Sequence, residues 1–321
     1  MKILANDGIS PSGKEALEKA GFTVVTDNVP QEDLENAINN EGYVGLLVRS
    51  ATKVRQPLID ACPGLKLIGR GGVGMDNIDV DYARSKGLEV INTPASSSLS
   101  VAELVMAQAF AFSRFLHKSY AEMPVKGAEE FKALKKAYAK GSELRGKTLG
   151  IIGMGRIGTA LATYALGCGM KVIFHTRNCD NLDVKLHIEG HGEIVVNLKN
   201  SSKEEVVTNS DFLSLNVPAQ ADGSAVIGAS ELKSMKSNAV IINAARGGSV
   251  DEAALIDALD NNVIKGAILD VFVNEPTPNP ALLNHAKIAT TPHIGAATAE
   301  AQDRIGLELA EKICSYFQVE V

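Results

Sequence analysis

The stretch Thr148-Leu149-Gly150-Ile151-Ile152-Gly153-Met154-Gly155-Arg156-Ile157-Gly158 decides the fold. Its first five residues form a short apolar run that reads as a strand. A GxGxxG loop follows at once, and an apolar helix leaves it and runs to about Gly167. Alone, that glycine pattern is weak. Between a strand and a helix, inside a βαβ unit, it is a dinucleotide-binding fingerprint. Gly153 permits the tight turn, Gly155 lets backbone approach a pyrophosphate, and Gly158 lets helix and strand pack closely. The helix N-terminus adds unpaired N–H groups that attract phosphate.

Working outward, strands and helices alternate in both directions. Downstream, Met170–Phe174, Phe212–Asn216, Ala239–Asn243, Ile264–Leu269 and the short Ala286–Ala289 read as strands. Upstream, Lys2–Ala5, Phe22–Thr26, Tyr43–Val48, Leu65–Ile68 and Leu88–Ile91 make a five-stranded unit ending near Pro94, with a helix opened by Ser10-Pro11 and closed at Gly21. This order predicts an α/β fold: two Rossmann-like or flavodoxin-like domains with parallel sheets and an interdomain cleft. The substrate-binding domain is discontinuous, residues 1–97 and 291–321, and the nucleotide-binding domain spans 98–290. Ser100 and Glu103 have capping-box spacing and open a helix to about Phe115, whose uniform apolarity predicts burial between domains. The segment Asn178–Asn200 is long for a βα connection, and the alternation in Glu193–Leu198 predicts a hairpin. Ala297–Phe317 reads as a terminal helix.

Composition narrows the function. A length of 321 residues fits about two domains. The net charge of −6 argues against nucleic acid or a membrane surface as partner. No apolar run reaches the ~18 residues of a membrane span; even Val101–Phe112 holds Glu103 and Gln108. Met1–Asp7 reads as a first strand, not a signal peptide. Cys62, Cys168, Cys179 and Cys314 are scattered without a CxxC pair, which points to a reducing cytoplasm and away from a thiolate zinc site. His187 and His191, in a polar glycine-containing stretch, read as surface residues, so no metal is expected.

Three further stretches carry chemistry. Asn243-Ala244-Ala245-Arg246-Gly247-Gly248, Leu269-Asp270-Val271-Phe272-Val273-Asn274-Glu275-Pro276 and Thr291-Pro292-His293-Ile294-Gly295 each leave a strand. A histidine moves a proton near neutral pH. A carboxylate orients it and stabilises its imidazolium. An arginine grips a carboxylate with paired hydrogen bonds. The set suits chemistry on a small hydroxy acid. The second strand of the nucleotide unit departs from the usual NAD pattern, which places an Asp or Glu about 20 residues after the glycine loop to bind the ribose 2′-OH. Thr176 and Arg177 stand there instead. No carboxylate repels a 2′-phosphate, so the expected cofactor is NAD or NADP.

These motifs, in this order, resemble the D-isomer-specific 2-hydroxyacid dehydrogenases over essentially the whole chain. The resemblance implies His293 as acid/base on the C2 oxygen. It implies Glu275 as the partner that orients the imidazole and raises its pKa, and Arg246 as the residue that binds the substrate carboxylate. It places Asp270 at the nicotinamide carboxamide, and Arg156, Ile157, Val217, Ala244, Ala245, Gly295 and Ala296 at cofactor-contact positions. A homodimer built on the nucleotide domain is implied as well.

Within the family, Val48-Arg49-Ser50-Ala51-Thr52-Lys53-Val54 and Gly69-Arg70-Gly71-Gly72-Val73-Gly74-Met75-Asp76-Asn77-Ile78-Asp79 resemble the D-3-phosphoglycerate dehydrogenase branch. That branch implies a phosphorylated 2-hydroxy acid as substrate and a place in serine biosynthesis. It implies backbone N–H groups near Val73 and Gly74 on the substrate carboxylate. Arg49 and Arg70 each follow a predicted strand, at the edge where such sheets bind ligands, and are expected at the phosphate. Lys132, Lys135, Lys136 and Lys140 form a basic connection that either reaches a phosphate or is a solvated helix face. The tryptophan usual in that connection is absent. The alternative reading is an NADP-preferring hydroxypyruvate or glyoxylate reductase, or another D-2-hydroxyacid dehydrogenase, which Thr176-Arg177 favours. The chain stops after the terminal helix, and the expectation is a short form without a serine-binding module or its feedback inhibition.

Overall fold

The computed structural model describes residues 1–319, which divide into two units: Met1–Ser100 with the segment from Ala296 onward, and Val101–Gly295. Both divisions fall a few residues later than the sequence reading placed them. His293 therefore belongs to the nucleotide-binding unit, because Asp270 of that unit accepts the backbone N–H groups of Ile294 and Gly295.

In the first unit, strands β1 (Lys2–Ala5), β2 (Thr23–Val25), β3 (Tyr43–Val48), β4 (Leu67–Arg70) and β5 (Glu89–Asn92) form a parallel sheet in the order β2-β1-β3-β4-β5. The runs are apolar without alternation because both faces are covered. Leu4, Leu46 and Ile68 pack with Leu34, Ile38 and Ile59 on one face. Ile3, Leu47 and Leu67 pack with Leu17 and with Ile305, Leu309 and Ile313 of the helix Ala299–Phe317 on the other. β4 starts at Leu67 rather than Leu65 and includes Arg70, which pairs with Val48 and Asn92, so Arg70 ends the strand instead of following it.

The helices Pro11–Lys19 and Ala299–Phe317 touch backbone to backbone. A Cβ added at Gly13 would lie 2.6 Å from the carbonyl carbon of Gly306. Overpacking a site with no slack costs about 1–3 kcal/mol, so Gly13→Ala is expected to lower the thermal midpoint by several degrees. An unchanged melting curve by circular dichroism would show that the helices part at no cost.

In the second unit, β6 (Thr148–Ile152), β7 (Lys171–His175), β10 (Phe212–Leu215), β11 (Val240–Asn243), β12 (Gly266–Leu269) and β13 (Ile288–Thr290) form a parallel sheet in the order β13-β12-β11-β10-β6-β7. Between β7 and β10 the chain makes an antiparallel hairpin, β8 (Asn181–Ile188) and β9 (Gly192–Lys199). In the usual strand order, 3-2-1-4-5-6, a third strand lies beyond the second. Here β7 has, among the described residues, a single isolated bridge, Phe174 to Asn200, in that place. The hairpin keeps one apolar face, with Leu182, Val184, Leu186 and Leu198 against the core around Phe174 and Leu161. Asp183, Lys185, Glu193 and Asn197 on its other face are exposed.

One local expectation is corrected, and one of two open readings is decided. The helix Ser98–Ser113 begins before the predicted cap. Ser100 lies inside it and bonds the Thr298 hydroxyl at 2.8 Å, while Glu103 accepts from the Tyr164 hydroxyl at 2.8 Å. The basic connection is itself a helix, Leu116–Ala137, reached through Phe115 at φ 57°. Lys132, Lys135 and Lys136 are exposed on it, and Lys140 is exposed just after it.

Candidate active site

β6 ends where the sheet changes direction, with β7 on one side and β10 on the other. Open α/β sheets bind ligands at that point, beyond the carboxyl ends of the strands. The glycines fit the demand. Gly153 has φ 97°, and a Cβ there would lie 2.5 Å from the Asn216 carbonyl oxygen and 2.7 Å from Val217 Cγ1. A Cβ at Gly158 would collide with the Gly153 carbonyl, whereas Gly155 has nothing within 4 Å. No side chain caps the helix Arg156–Gly167, so its first N–H groups, those of Arg156, Ile157 and Gly158, stay available. A pyrophosphate fits such a terminus. Ala244 and Ala245 leave β11 at the same sheet edge. Thr176 and Arg177 follow β7, with Arg177 exposed.

The proton-handling pair is assembled in this unit. His293 Nδ1 lies 2.7 Å from Glu275 Oε2, and Glu275 Oε1 accepts the Phe272 N–H at 2.9 Å. With a carboxylate as acceptor, Nδ1 carries the hydrogen and Nε2 is left as the basic nitrogen. Nε2 has no partner among the described residues, and the His293 side chain remains 43% exposed. Arg246 leaves β11 on a loop stiffened by Asn243. That buried side chain donates to the Arg246 carbonyl at 2.8 Å and accepts from the Ala245 N–H at 3.1 Å. The Arg246 guanidinium donates to the Ala245 carbonyl at 2.7 Å. The next residue, Gly247, has no room for a Cβ, which would run into the Phe272 carbonyl. That close approach presses the Arg246 loop against the loop that carries Glu275.

Asp270 does something the sequence reading did not foresee. It is buried, and its carboxylate accepts from the Thr291 hydroxyl at 2.6 Å, the Ile294 N–H at 2.9 Å and the Gly295 N–H at 2.9 Å. Gln108 donates to the same Thr291 hydroxyl at 2.8 Å. The turn so held puts His293 at φ 53°. A non-glycine residue in that region carries about 1–3 kcal/mol of strain and persists only when its surroundings fix it. The signal was present in the sequence: a carboxylate ending a buried apolar strand must find donors. Among the described residues no three His, Cys, Asp or Glu side chains gather as a metal site.

The remaining predicted residues lie in the first unit. Its sheet changes direction between β1 and β3, and the Asp7 carboxylate joins those strand ends. It accepts from Arg49 N–H at 2.6 Å, Thr52 N–H at 3.1 Å and the Thr52 hydroxyl at 2.6 Å. A cavity of about 230 Å³ opens there, lined by Asp7, Ser10, Arg49, Gly71 and Gln302. The Arg70 guanidinium lies over Gly72, where a Cβ would overlap it, and reaches the Ser50 hydroxyl at 3.4 Å. Asn92 donates to the Val73 carbonyl at 2.7 Å and ties down the loop that ends at Gly74. Ala296, read as a cofactor contact, also falls in this unit, with its carbonyl accepting from Gln302 at 2.8 Å.

Comparison with known proteins adds an independent line. Residues 106–295 match the family model described as D-isomer specific 2-hydroxyacid dehydrogenase, NAD binding domain. The chain is 39% identical over 316 residues to a hydroxypyruvate reductase of Thermotoga maritima, covering 97% of each. It is 39% identical over 313 residues to a D-3-phosphoglycerate dehydrogenase of Methanocaldococcus jannaschii, spanning 98% of this chain but 57% of that one. Among solved structures, the NADPH-dependent glyoxylate/hydroxypyruvate reductase of Sinorhizobium meliloti, in complex with NADP and malonate, superposes with a TM-score of 0.78 at 28% identity. That match covers 98% of this chain and 93% of the other.

Proposed function

The chain belongs to the D-isomer-specific 2-hydroxyacid dehydrogenases, and on that premise we propose that it oxidises 3-phospho-D-glycerate to 3-phosphohydroxypyruvate, a reaction of serine biosynthesis. Membership makes it an oxidoreductase that uses NAD or NADP. The observation that carries the chemistry is the His293–Glu275 pair, 2.7 Å apart, with the imidazole Nε2 unpartnered among the described residues. What supports a phosphorylated substrate is Arg49, at the direction change of the first sheet on the wall of a cavity of about 230 Å³.

In the oxidative direction, the Arg246 guanidinium binds the substrate carboxylate. His293 Nε2 takes the proton from the C2 hydroxyl. Glu275 holds Nδ1 and stabilises the imidazolium that forms. The developing negative charge on the C2 oxygen is met by the Arg246 cation. The nicotinamide ring, when bound, supplies the hydride acceptor. The glycine loop and the helix N–H groups behind it hold the pyrophosphate, and Val217, Ala244 and Ala245 line the same edge.

A second reading, an NADP-preferring hydroxypyruvate or glyoxylate reductase, rests on Thr176-Arg177 and on the end-to-end match with the Thermotoga reductase. Initial rates separate the two. 3-Phospho-D-glycerate would be oxidised at alkaline pH with NAD and NADP in parallel, and phosphohydroxypyruvate and hydroxypyruvate would be reduced. For the first reading, kcat/KM for the phosphorylated keto acid should exceed that for hydroxypyruvate by at least about tenfold, and Arg49→Ala should erase most of that preference. Removing one charge-assisted contact of 1.5–3 kcal/mol corresponds to about 10- to 100-fold. Equal or better use of hydroxypyruvate, unaffected by Arg49→Ala, would promote the reductase. As part of the proposal, the enzyme works in the cytoplasm as a homodimer. Exposed Phe110, Tyr120, Val125 and Phe131 on the helices of the nucleotide unit support an apolar contact there.

A further inference from the structure

The hairpin that replaces the third strand leaves a specific trace at the end of β7. Asn200, the residue after β9, meets the β7 end with both its side chain and its backbone. Its Oδ1 accepts the Thr176 N–H at 3.0 Å and its Nδ2 donates to the Thr176 carbonyl at 2.8 Å. Its own N–H donates to the Asp180 carbonyl at 2.8 Å. Beside it, Ser201 N–H donates to the Phe174 carbonyl at 2.9 Å, and Ser201 O lies 2.8 Å from His175 Nδ1.

The side-chain amide thus substitutes for a missing strand. One peptide-like group satisfies the donor and the acceptor of a single residue, as a paired strand residue would. The consequence is geometric. The loop Thr176–Asp180 is closed at both ends by Asn200, at Thr176 through the amide and at Asp180 through the backbone. Arg177 and Asn178, inside that closed loop, are exposed. Dinucleotide folds read the ribose 2′ position at the end of the second strand. In this unit β7 is that strand, since it follows the glycine loop and its helix and pairs directly with β6.

We propose that Asn200 is the positioning residue for the adenosine end of the cofactor, fixing the Thr176–Arg177 loop so that it meets the ribose and whatever its 2′ oxygen carries. This rests on the NAD(P) reading of the glycine loop. Asn200 does not itself touch the ligand; it acts through the two hydrogen bonds to Thr176. Asn200→Ala removes both bonds and frees the loop. Asn200→Asp keeps the bond from Thr176 N–H, turns the second contact into a repulsion between carboxylate and carbonyl, and sets a negative charge beside the 2′ position.

The test uses cofactor fragments, so that turnover plays no part. Adenosine monophosphate and adenosine 2′,5′-bisphosphate are titrated calorimetrically into the purified wild type and both variants, and each protein's thermal midpoint is recorded. Losing a positioned loop should weaken adenosine-fragment binding about tenfold in Asn200→Ala, the scale of one hydrogen bond of 1–1.5 kcal/mol. The thermal midpoint should change by no more than a few degrees. In Asn200→Asp the bisphosphate should lose several-fold more affinity than the monophosphate, because only the former brings a second anion to the loop. Unchanged binding of both fragments in Asn200→Ala overturns the inference. So does an equal loss for both fragments in both variants that tracks a large fall in midpoint, which makes Asn200 a purely structural residue. A wild type that binds neither fragment overturns the cofactor reading itself, and this inference with it.

Discussion

Replacement of His293 by asparagine is expected to lower kcat by about 10²- to 10⁴-fold, the usual range for a lost general acid–base, with little change in melting temperature. Asparagine is the informative substitute because His293 sits at φ 53°, a region that asparagine tolerates better than most side chains. The turn should survive while its proton-transfer group is lost. Glu275→Gln should lose a comparable factor. Its single carbonyl oxygen can still accept the Phe272 N–H, but the NH2 group then faces Nδ1 and donates to it, which moves the ring hydrogen to Nε2 and takes away the basic nitrogen. Single-turnover and steady-state rates for both variants, beside their melting curves, check this. A kcat for the asparagine variant within about threefold of wild type would remove His293 from the chemistry.

Asp270→Ala is the second large effect. It strands the N–H groups of Ile294 and Gly295 and the Thr291 hydroxyl together. Only the Gly295 N–H is buried and the other two donors are partly so. A buried donor left without a partner costs about 1–3 kcal/mol and a partly solvated one less, so the loss is about 2–4 kcal/mol out of about 5–15 kcal/mol for a typical domain. Each kcal/mol moves the midpoint of a unit this size by about 2–4 °C, so a drop of roughly 5–15 °C is expected. A collapse in turnover should accompany it, as the His293 turn relaxes. Asp270→Asn should fall between, since one of its two groups is a donor facing a donor. If activity vanished while the melting curve stayed put, Asp270 would be acting on the ligand, as the family resemblance implies, and not on the turn.

The residues that were legible were those whose reason is local. The glycine loop, the apolar runs of both sheets and the three loop motifs carry their logic within a few positions, and the strands lie close to where the runs predicted. What escaped was set at long range. Ser100 has a capping pattern, but the chain turns into a helix at Ser98, and its hydroxyl is taken by Thr298. The helix Leu116–Ala137 was legible only in its last turns, where the lysines offered a solvated helix face, and its start was obscured by Pro124. The hairpin Asn181–Lys199 was legible in the length of its segment and the alternation of Glu193–Leu198, but the Asn200 amide that pairs with the end of β7 was not, because its partner Thr176 lies 24 residues away. For Asp270 the family resemblance implies a nicotinamide contact, and no local pattern marks the donors of its second task. Only the three donors around it reveal what it holds. Arg49 and Arg70 were found as cations, yet the Asp7 carboxylate that joins the strand ends beside Arg49 was not.

The helix Ala299–Phe317 has a consequence for how the chain is made. Its Ile305, Leu309 and Ile313 cover one face of a sheet whose strands were all translated before residue 93. Until the ribosome has passed Phe317, that face, with Ile3, Leu47 and Leu67, has no cover, while the nucleotide unit is already complete in sequence. Synthesis runs from the N-terminus at about 5–20 residues per second, so the earliest-made sheet waits on the order of ten seconds for its last layer. The first unit to be synthesised should be the last to become resistant to proteolysis. Released chains truncated just before Ala299 should yield a protected fragment from the middle of the sequence and none from its start.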